Sequence, residues 1–391
     1  MRYRLAACFA SFALLLSLTF LAAGCAPKEK KAFSPEEMEK ELDTRVSTET
    51  RDDIVVPFEI DAEIRELTKE VTRGLTDDRQ KMRAIVRAII DRTGMSISYD
   101  WLSNKTAKEV FYEGRGNCLA YTNLFVGMGR EVGLRAVYVD VTTIERVTRE
   151  AEVIVNNGHI TGGLVYGPDT IVIDFTRTPE REYFGYKVID DLEAIANFYN
   201  NQGFLYGYFT ETQGDAVGFD PQAKEIEMYE LALEILPSFP RARNNLGVAL
   251  KRRGRVEEAI EQYKIAIDYD GEFGEAHSNL GSAYYSQGRV DEAIEQFRIA
   301  AKASGSNAYF YHHLGVVQYQ LKNYDDAIEQ FRKALSKEPN LADARFYLGE
   351  CYLKKGDKER AIKEFEATLE LDPNYLSARA KLAVLQSRVQ S

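Results

Sequence analysis

The chain has 391 residues, 45% of them hydrophobic and 28% charged, and a net charge of −11 at neutral pH. A binder of nucleic acid needs a basic footprint to displace counterions, so the acidic balance argues against that class of partner. Beyond the N-terminal segment no second long apolar run occurs, and the composition is that of a soluble body.

The N-terminus begins Met1-Arg-Tyr-Arg and continues with an apolar stretch from Leu5 to about Ala23. A basic start, an apolar run and a small-residue ending make a secretory signal; the alternative is an uncleaved anchor, because about 19 apolar residues just span a bilayer. The ending Leu21-Ala-Ala-Gly-Cys25 resembles the bacterial lipobox, with Ala22 where that motif prefers leucine. The resemblance implies a lipoprotein signal peptide over 1–24, lipidation of Cys25, and attachment to a membrane of the cell envelope. Ala26 supplies no acidic retention signal, which implies the outer membrane and its periplasmic face. Residues 25–58 are highly charged and poor in large apolar side chains. Such a stretch is expected to be a mobile tether, roughly 30 Å from end to end.

Of the four cysteines, Cys8 leaves with the signal and Cys25 takes lipid, so Cys118 and Cys351 remain. A bridge between them would join two domains, so Cys118 is expected to be a thiol. Residues 59–193 form the first domain. "DAEIRELTKEVTRGL" and "DDRQKMRAIVRAIIDRTG" carry apolar residues at three-and-four spacing and predict helices. "CLAYTNLFVGMGREVG" predicts a third, with Asn117 as N-cap and Gly133 as C-cap. Val- and Ile-rich runs follow at 134–144, 152–166 and 170–176 and predict strands. Helices first and antiparallel strands after define an α+β domain.

Cys118 falls in the first turn of its predicted helix, where unsatisfied N–H groups and the helix dipole favour a thiolate. A nucleophilic cysteine needs a base and a group to orient it. His159 is the one histidine of this domain, and Asp174 interrupts the apolar run "IVIDF". Singly, each has an ordinary alternative: an inert buried thiol, a satisfied core histidine, a strand-end carboxylate. The segment "GRGNCLAYTNLFVGMGREVGLRAVYV" resembles the nucleophile segment of the transglutaminase-like cysteine enzymes, over about 80–190. The resemblance implies a transglutaminase-like, papain-like fold with Cys118 as nucleophile, His159 as base and acid, and Asp174 holding the imidazole. Relatives often carry an aromatic soon after the histidine, where this chain has Ile160-Thr161. Tyr99, Trp101 and Asn117 are candidates for an oxyanion hole beside the N–H of Cys118. No metal or cofactor is expected, since metal-ligand spacings are missing from the sequence.

Residues 194–239 form a junction in which "FYNNQG" and "EMYELALEILP" echo a repeat unit with about ten extra residues between them. Over 240–375 a period of 34 is explicit: Leu-Gly at 246, 280, 314 and 348, and Ala-Ile at 259, 293, 327 and 361. Aromatics recur at Tyr263, Phe297, Phe331 and Phe365. This pattern resembles tetratricopeptide (TPR) repeats, and implies an all-α solenoid of four helix pairs closed by a capping helix over 376–391. Cys351 shares its repeat position with Ala249, Ala283 and Val317, a packing position. The resemblance implies a concave groove for a protein or peptide partner, with Lys251, Tyr285, His312 and Tyr319 towards it.

The expected function is an envelope-anchored, thiol-dependent amide hydrolase or acyl-transfer enzyme whose repeats dock protein partners or substrates. The alternative is a non-catalytic scaffold in which the repeats are the working surface.

Overall fold

The computed structural model describes residues 32–51, 54–92, 100, 102–142, 147–150, 153–156, 159–175, 185–213, 220–303 and 307–387. They divide into two compact units. The first comprises Val55–Ile144 and His159–Asp191; the second comprises Phe33–Ile54, Glu145–Gly158 and Leu192–Ser391.

In chain order the elements open with α1 (Pro35–Arg45) and α2 (Thr48–Arg51), both in the second unit. The expected tether over 25–58 is thereby corrected for 35–51. Ser34 and Glu37 form a reciprocal capping box, and Met38, Leu42 and Val46 are buried. Their spacing of four makes one helical stripe, which a charge-rich composition conceals.

The first unit continues with α3 (Ala62–Val71), α4 (Asp78–Arg92), α5 (Ala107–Glu113) and α6 (Cys118–Glu131). Its strands are β1 (Ala136–Thr142), β4 (His159–Tyr166), β5 (Asp169–Ile173) and β6 (Gly185–Ile189); β2 (Val147–Glu150) and β3 (Val153–Asn156) form a separate hairpin in the second unit. The four-stranded sheet runs β5-β4-β1-β6 with every neighbour antiparallel. Helix α6 lies on one face of it. Tyr138 of β1 donates to Asn123 Oδ1 of α6 at 2.8 Å, and its strand partner Gly162 leaves no room for a Cβ beside Phe125. The expected α+β domain is what forms. The helix α5 was not among the expected elements, although Thr106 and Glu109 build a capping box for it.

The rest of the second unit is helical: α7 (Asp191–Gln213, entering it from Asp191), α8 (Pro221–Ile235), α9 (Pro240–Arg252), α10 (Val256–Tyr269), α11 (Gly274–Ser286), α12 (Val290–Ala303), α13 (Ala308–Gln320), α14 (Tyr324–Lys337), α15 (Ala342–Lys354), α16 (Lys358–Leu371) and α17 (Leu376–Ser387). The expected solenoid of helix pairs is present. In each pair a glycine of the first helix abuts an aromatic ring of the second. A Cβ built on Gly247, Gly281, Gly315 or Gly349 would meet Tyr263, Phe297, Phe331 or Phe365 at 2.6, 3.0, 2.7 or 2.8 Å. Gly203 of α7 stands in the same relation to Tyr229 of α8, at 2.7 Å. The helices α7 and α8 therefore pack as a fifth pair ahead of the four periodic ones.

Candidate functional site

The segment before Cys118 is held by a chain of local bonds. The helix α5 ends at Gly114 in the left-handed conformation (φ 66°), which reverses the backbone towards α6. Gly116 follows, and a Cβ there would approach Ala120 and Val110 to 2.8 Å, so the turn closes only around glycine. Asn117 N donates to Ser103 O at 2.9 Å. The Asn117 side chain accepts from Ala120 N at 2.9 Å as N-cap and donates to Asn104 Oδ1 at 3.3 Å. Both ends of that amide are thus engaged in fixing the start of the helix, which makes Asn117 a positioning residue. Asn104 was not anticipated; its distance in sequence from Asn117 leaves no short-range signal.

Cys118 is the first residue of α6 and is 9% exposed. Neither Cys118 nor Cys351 is in a disulfide. Helix geometry leaves first-turn N–H groups without helical acceptors, and their partial positive charge stabilises negative charge placed there. Behind Cys118 the helix is braced along its length. Tyr121 OH donates to Gly114 O at 3.2 Å, and Thr122 Oγ1 donates to Cys118 O at 2.8 Å. Asn123 donates to Lys105 O at 3.1 Å while accepting from Tyr138. Burial pushes the Tyr138 phenol well above its ordinary pKa, keeping it the neutral donor this bond requires. Tyr121 and Asn123 therefore support the helix. At the far end, Arg130 makes a bidentate pair with Asp191 (2.8 and 2.7 Å) and donates to Ala136 O. That pair ties the helix to β1 and to the last residue of the unit, and no sequence motif hints at it.

His159 stands at the first position of β4, and its side chain lies outside what is described. In the β1–β4 register it is opposite Val141. Asp174 follows β5 directly and is half-buried. Because Gly162 pairs with Ile173, one further step of the register sets Asp174 opposite Thr161. Positions 159 and 174 therefore fall in one row, diagonal to each other across neighbouring strands. The opposite face of the sheet is the one against α6: it contains Gly162, and Phe175 beyond the strand end stacks on Tyr121 at 6.0 Å and lies 6.2 Å from Phe125. Tyr99, Trp101 and the lipidation candidate Cys25 lie outside the described residues.

In the repeats, Lys251 Nζ donates to Ser282 Oγ at 2.7 Å, joining the first helices of two successive pairs. Tyr285 is half-buried. Tyr319 OH donates to Glu350 Oε2 at 3.0 Å, and burial together with the Glu350 charge raises its pKa. His312 departs from the expectation of a groove residue. It is 2% exposed, with Phe331 at 5.8 Å and Tyr347 at 6.0 Å, so at this position the ring fills space between helices. A run of buried amides was not foreseen: Asn245 donates to Asn200 (3.0 Å), Asn244 to Asn245 (3.4 Å) and Asn279 to Asn244 (2.9 Å). Cys351 is fully buried, and burial, with the Glu350 charge adding, pushes its thiol up to about 12.

Comparison with known proteins agrees with this division. The pattern of the transglutaminase-like superfamily matches residues 65–162, and tetratricopeptide-repeat patterns match 227–268, 244–308 and 318–383. The protein thus carries a transglutaminase-like domain followed by TPR repeats. Solved TPR structures are similar to part of it. YrrB, described as a TPR protein with an unusual peptide-binding site, is 19% identical, with 48% of this chain and 91% of that one covered and a TM-score of 0.37. MamA is 27% identical, with 44% and 96% covered and a TM-score of 0.37. A thermophilic TPR protein from Thermus thermophilus is 21% identical, with 48% and 98% covered and a TM-score of 0.40. No curated protein matches the chain.

Proposed function

We propose that the first unit is a thiol-dependent amide hydrolase or acyl-transfer domain, and that the TPR array docks the protein on which it acts. The observation that carries this reading is Cys118 at a capped helix N-terminus, in a segment braced at every turn within a superfamily match. In this reading the Cys118 thiolate attacks an amide carbonyl carbon, and the first-turn N–H groups receive the developing oxyanion. His159, protonated as the thiolate forms, gives its proton to the departing amine, leaving a thioester on Cys118. Water then attacks the thioester carbon, His159 takes the proton of that water, and the acid leaves with the thiol restored. An amine in place of water gives transamidation. Asp174, sharing a row with position 159, holds the imidazole.

A second reading, a scaffold without catalysis, draws on the same register. The row under α6 is that of Gly162 and Tyr138, whereas position 159 belongs to the alternate row. The two readings separate in the pH dependence of Cys118 alkylation, with and without His159→Ala. A fast rate persisting well below the ordinary thiol pKa of about 8.5, and lost in the variant, supports the enzyme. An ordinary thiol profile, unchanged by the substitution, leaves the scaffold.

The lipobox-like Leu21–Cys25 supports attachment to an envelope membrane through a lipid on Cys25. Among the described residues no helix is long and apolar enough to cross a membrane. Under this reading Cys25→Ser moves the protein from the membrane to the soluble fraction; retention in the membrane fraction would refute lipid anchoring.

A further inference from the structure

The hairpin of β2 and β3 is inserted in sequence between two strands of the first unit, yet it belongs to the second. There β3 lies beside α9 and α11, the first helices of two successive repeats. First helices line the concave face of a TPR solenoid, the face such arrays offer to extended partners. We propose that this hairpin is a built-in occupant of the groove of the first two repeats, and that a partner protein enters by displacing it with an extended, β-branched segment of its own.

Two observations carry the proposal. A two-stranded ribbon on its own is marginal in water, so a hairpin persists by lying against a surface, and α9 and α11 are that surface. The sequence of β3, Val153-Ile-Val-Asn156, is β-branched and extended, the chemistry a competing segment would need to match.

A segment tethered by a few residues acts at an effective concentration on the order of 1 mM. The intact groove should therefore resist a free copy of the same segment. The test uses the full chain in mild detergent and a variant in which residues 147–156 are replaced by a short Gly-Ser link. The probe is a fluorescent peptide with the sequence of residues 145–158. A thermal melt first establishes that the repeats of the variant still unfold cooperatively. Binding to the variant, with affinity for the intact chain reduced roughly tenfold or more, is the expected result. Equal binding to both chains overturns the proposal, because the groove would then be open. Binding to neither up to about 1 mM overturns it too, because a segment that weak would not stay seated on its tether. The outcome is independent of whether Cys118 is catalytic, which the alkylation profile decides separately.

Discussion

Glycine brings elements into close approach in both units, but against different neighbours. In α6, Gly127 faces main chain: a Cβ there would come within 2.5 Å of Phe58 O and 2.7 Å of Ile60. In the repeats the glycines face rings, and the same Gly–aromatic contact returns in every pair from Gly203–Tyr229 to Gly349–Phe365. The first arrangement is made once and cannot yield, because a carbonyl fixed in the backbone has no rotamer to change. The second is made five times, and each failure is confined to one pair and its neighbours. Gly127→Val should therefore be the most damaging single change, costing about 3 kcal/mol or more by overpacking. Gly315→Val should cost about 2 kcal/mol and act locally. Urea unfolding followed through Cys118 labelling and through far-UV signal separates the two; equal, whole-molecule losses would erase the distinction.

The same contrast governs how much the sequence revealed. A contact repeated every 34 residues accumulates as a period, so Leu246, Gly247, Ala259 and Tyr263 declared the solenoid. Contacts made once leave no period. Asn104 with Asn117, Arg130 with Asp191 and Asn279 with Asn244 are long-range pairs between residues that look like ordinary surface in sequence. The helix α1 was hidden differently, since three apolar residues spaced by four are few among many charges. At the candidate site the legible part was the local one, the Asn117 cap and Cys118 behind two glycines. Where position 159 stands relative to α6 is a matter of strand register, set by pairings with β1 and β5 that no single segment encodes.

A sharper comparison sets an ion pair of the first unit against a neutral amide pair of the second. Asp191 is 1% exposed and receives both arms of Arg130, which is one-fifth exposed. Asp191→Ala strands that guanidinium, at about 3 kcal/mol, the low end for breaking a buried pair because Arg130 retains some water. Asn279→Ala removes the bond to the buried Asn244 amide and should cost about 1–2 kcal/mol. If chemical denaturation ranks them the other way, the amide run carries more of the solenoid's stability than its single bonds suggest. Lys251→Met belongs with the smaller effects: it removes the Nζ–Ser282 bond and keeps the aliphatic stem, and a loss of about 1 kcal/mol is expected.

The smallest effect concerns how the second helices of the repeats begin. The helices α10 and α14 start with no side-chain cap bond, while α8 and α16, in the first and last pairs, start on carboxylates. Asp220 accepts from Ala223 N and Asp357 from Arg360 N, each at 3.0 Å. Those backbone bonds, with Arg253 and Arg360 adding, hold both carboxyls below their ordinary value of 3.8. A carboxyl whose folded pKa is depressed contributes its stability above the unfolded value and loses it as pH falls through the folded one. Acid should therefore loosen α8 and α16 before α10 and α14, although neither carboxylate is buried. Asparagine caps as well as aspartate but does not titrate in this range. Asp220→Asn and Asp357→Asn should remove that order, leaving amide protection in α8 and α16, taken relative to the intrinsic exchange rate at each pH, flat from about pH 5 to about pH 3. If α10 and α14 loosen first in the unaltered chain, the caps do not set the acid response of the solenoid's ends.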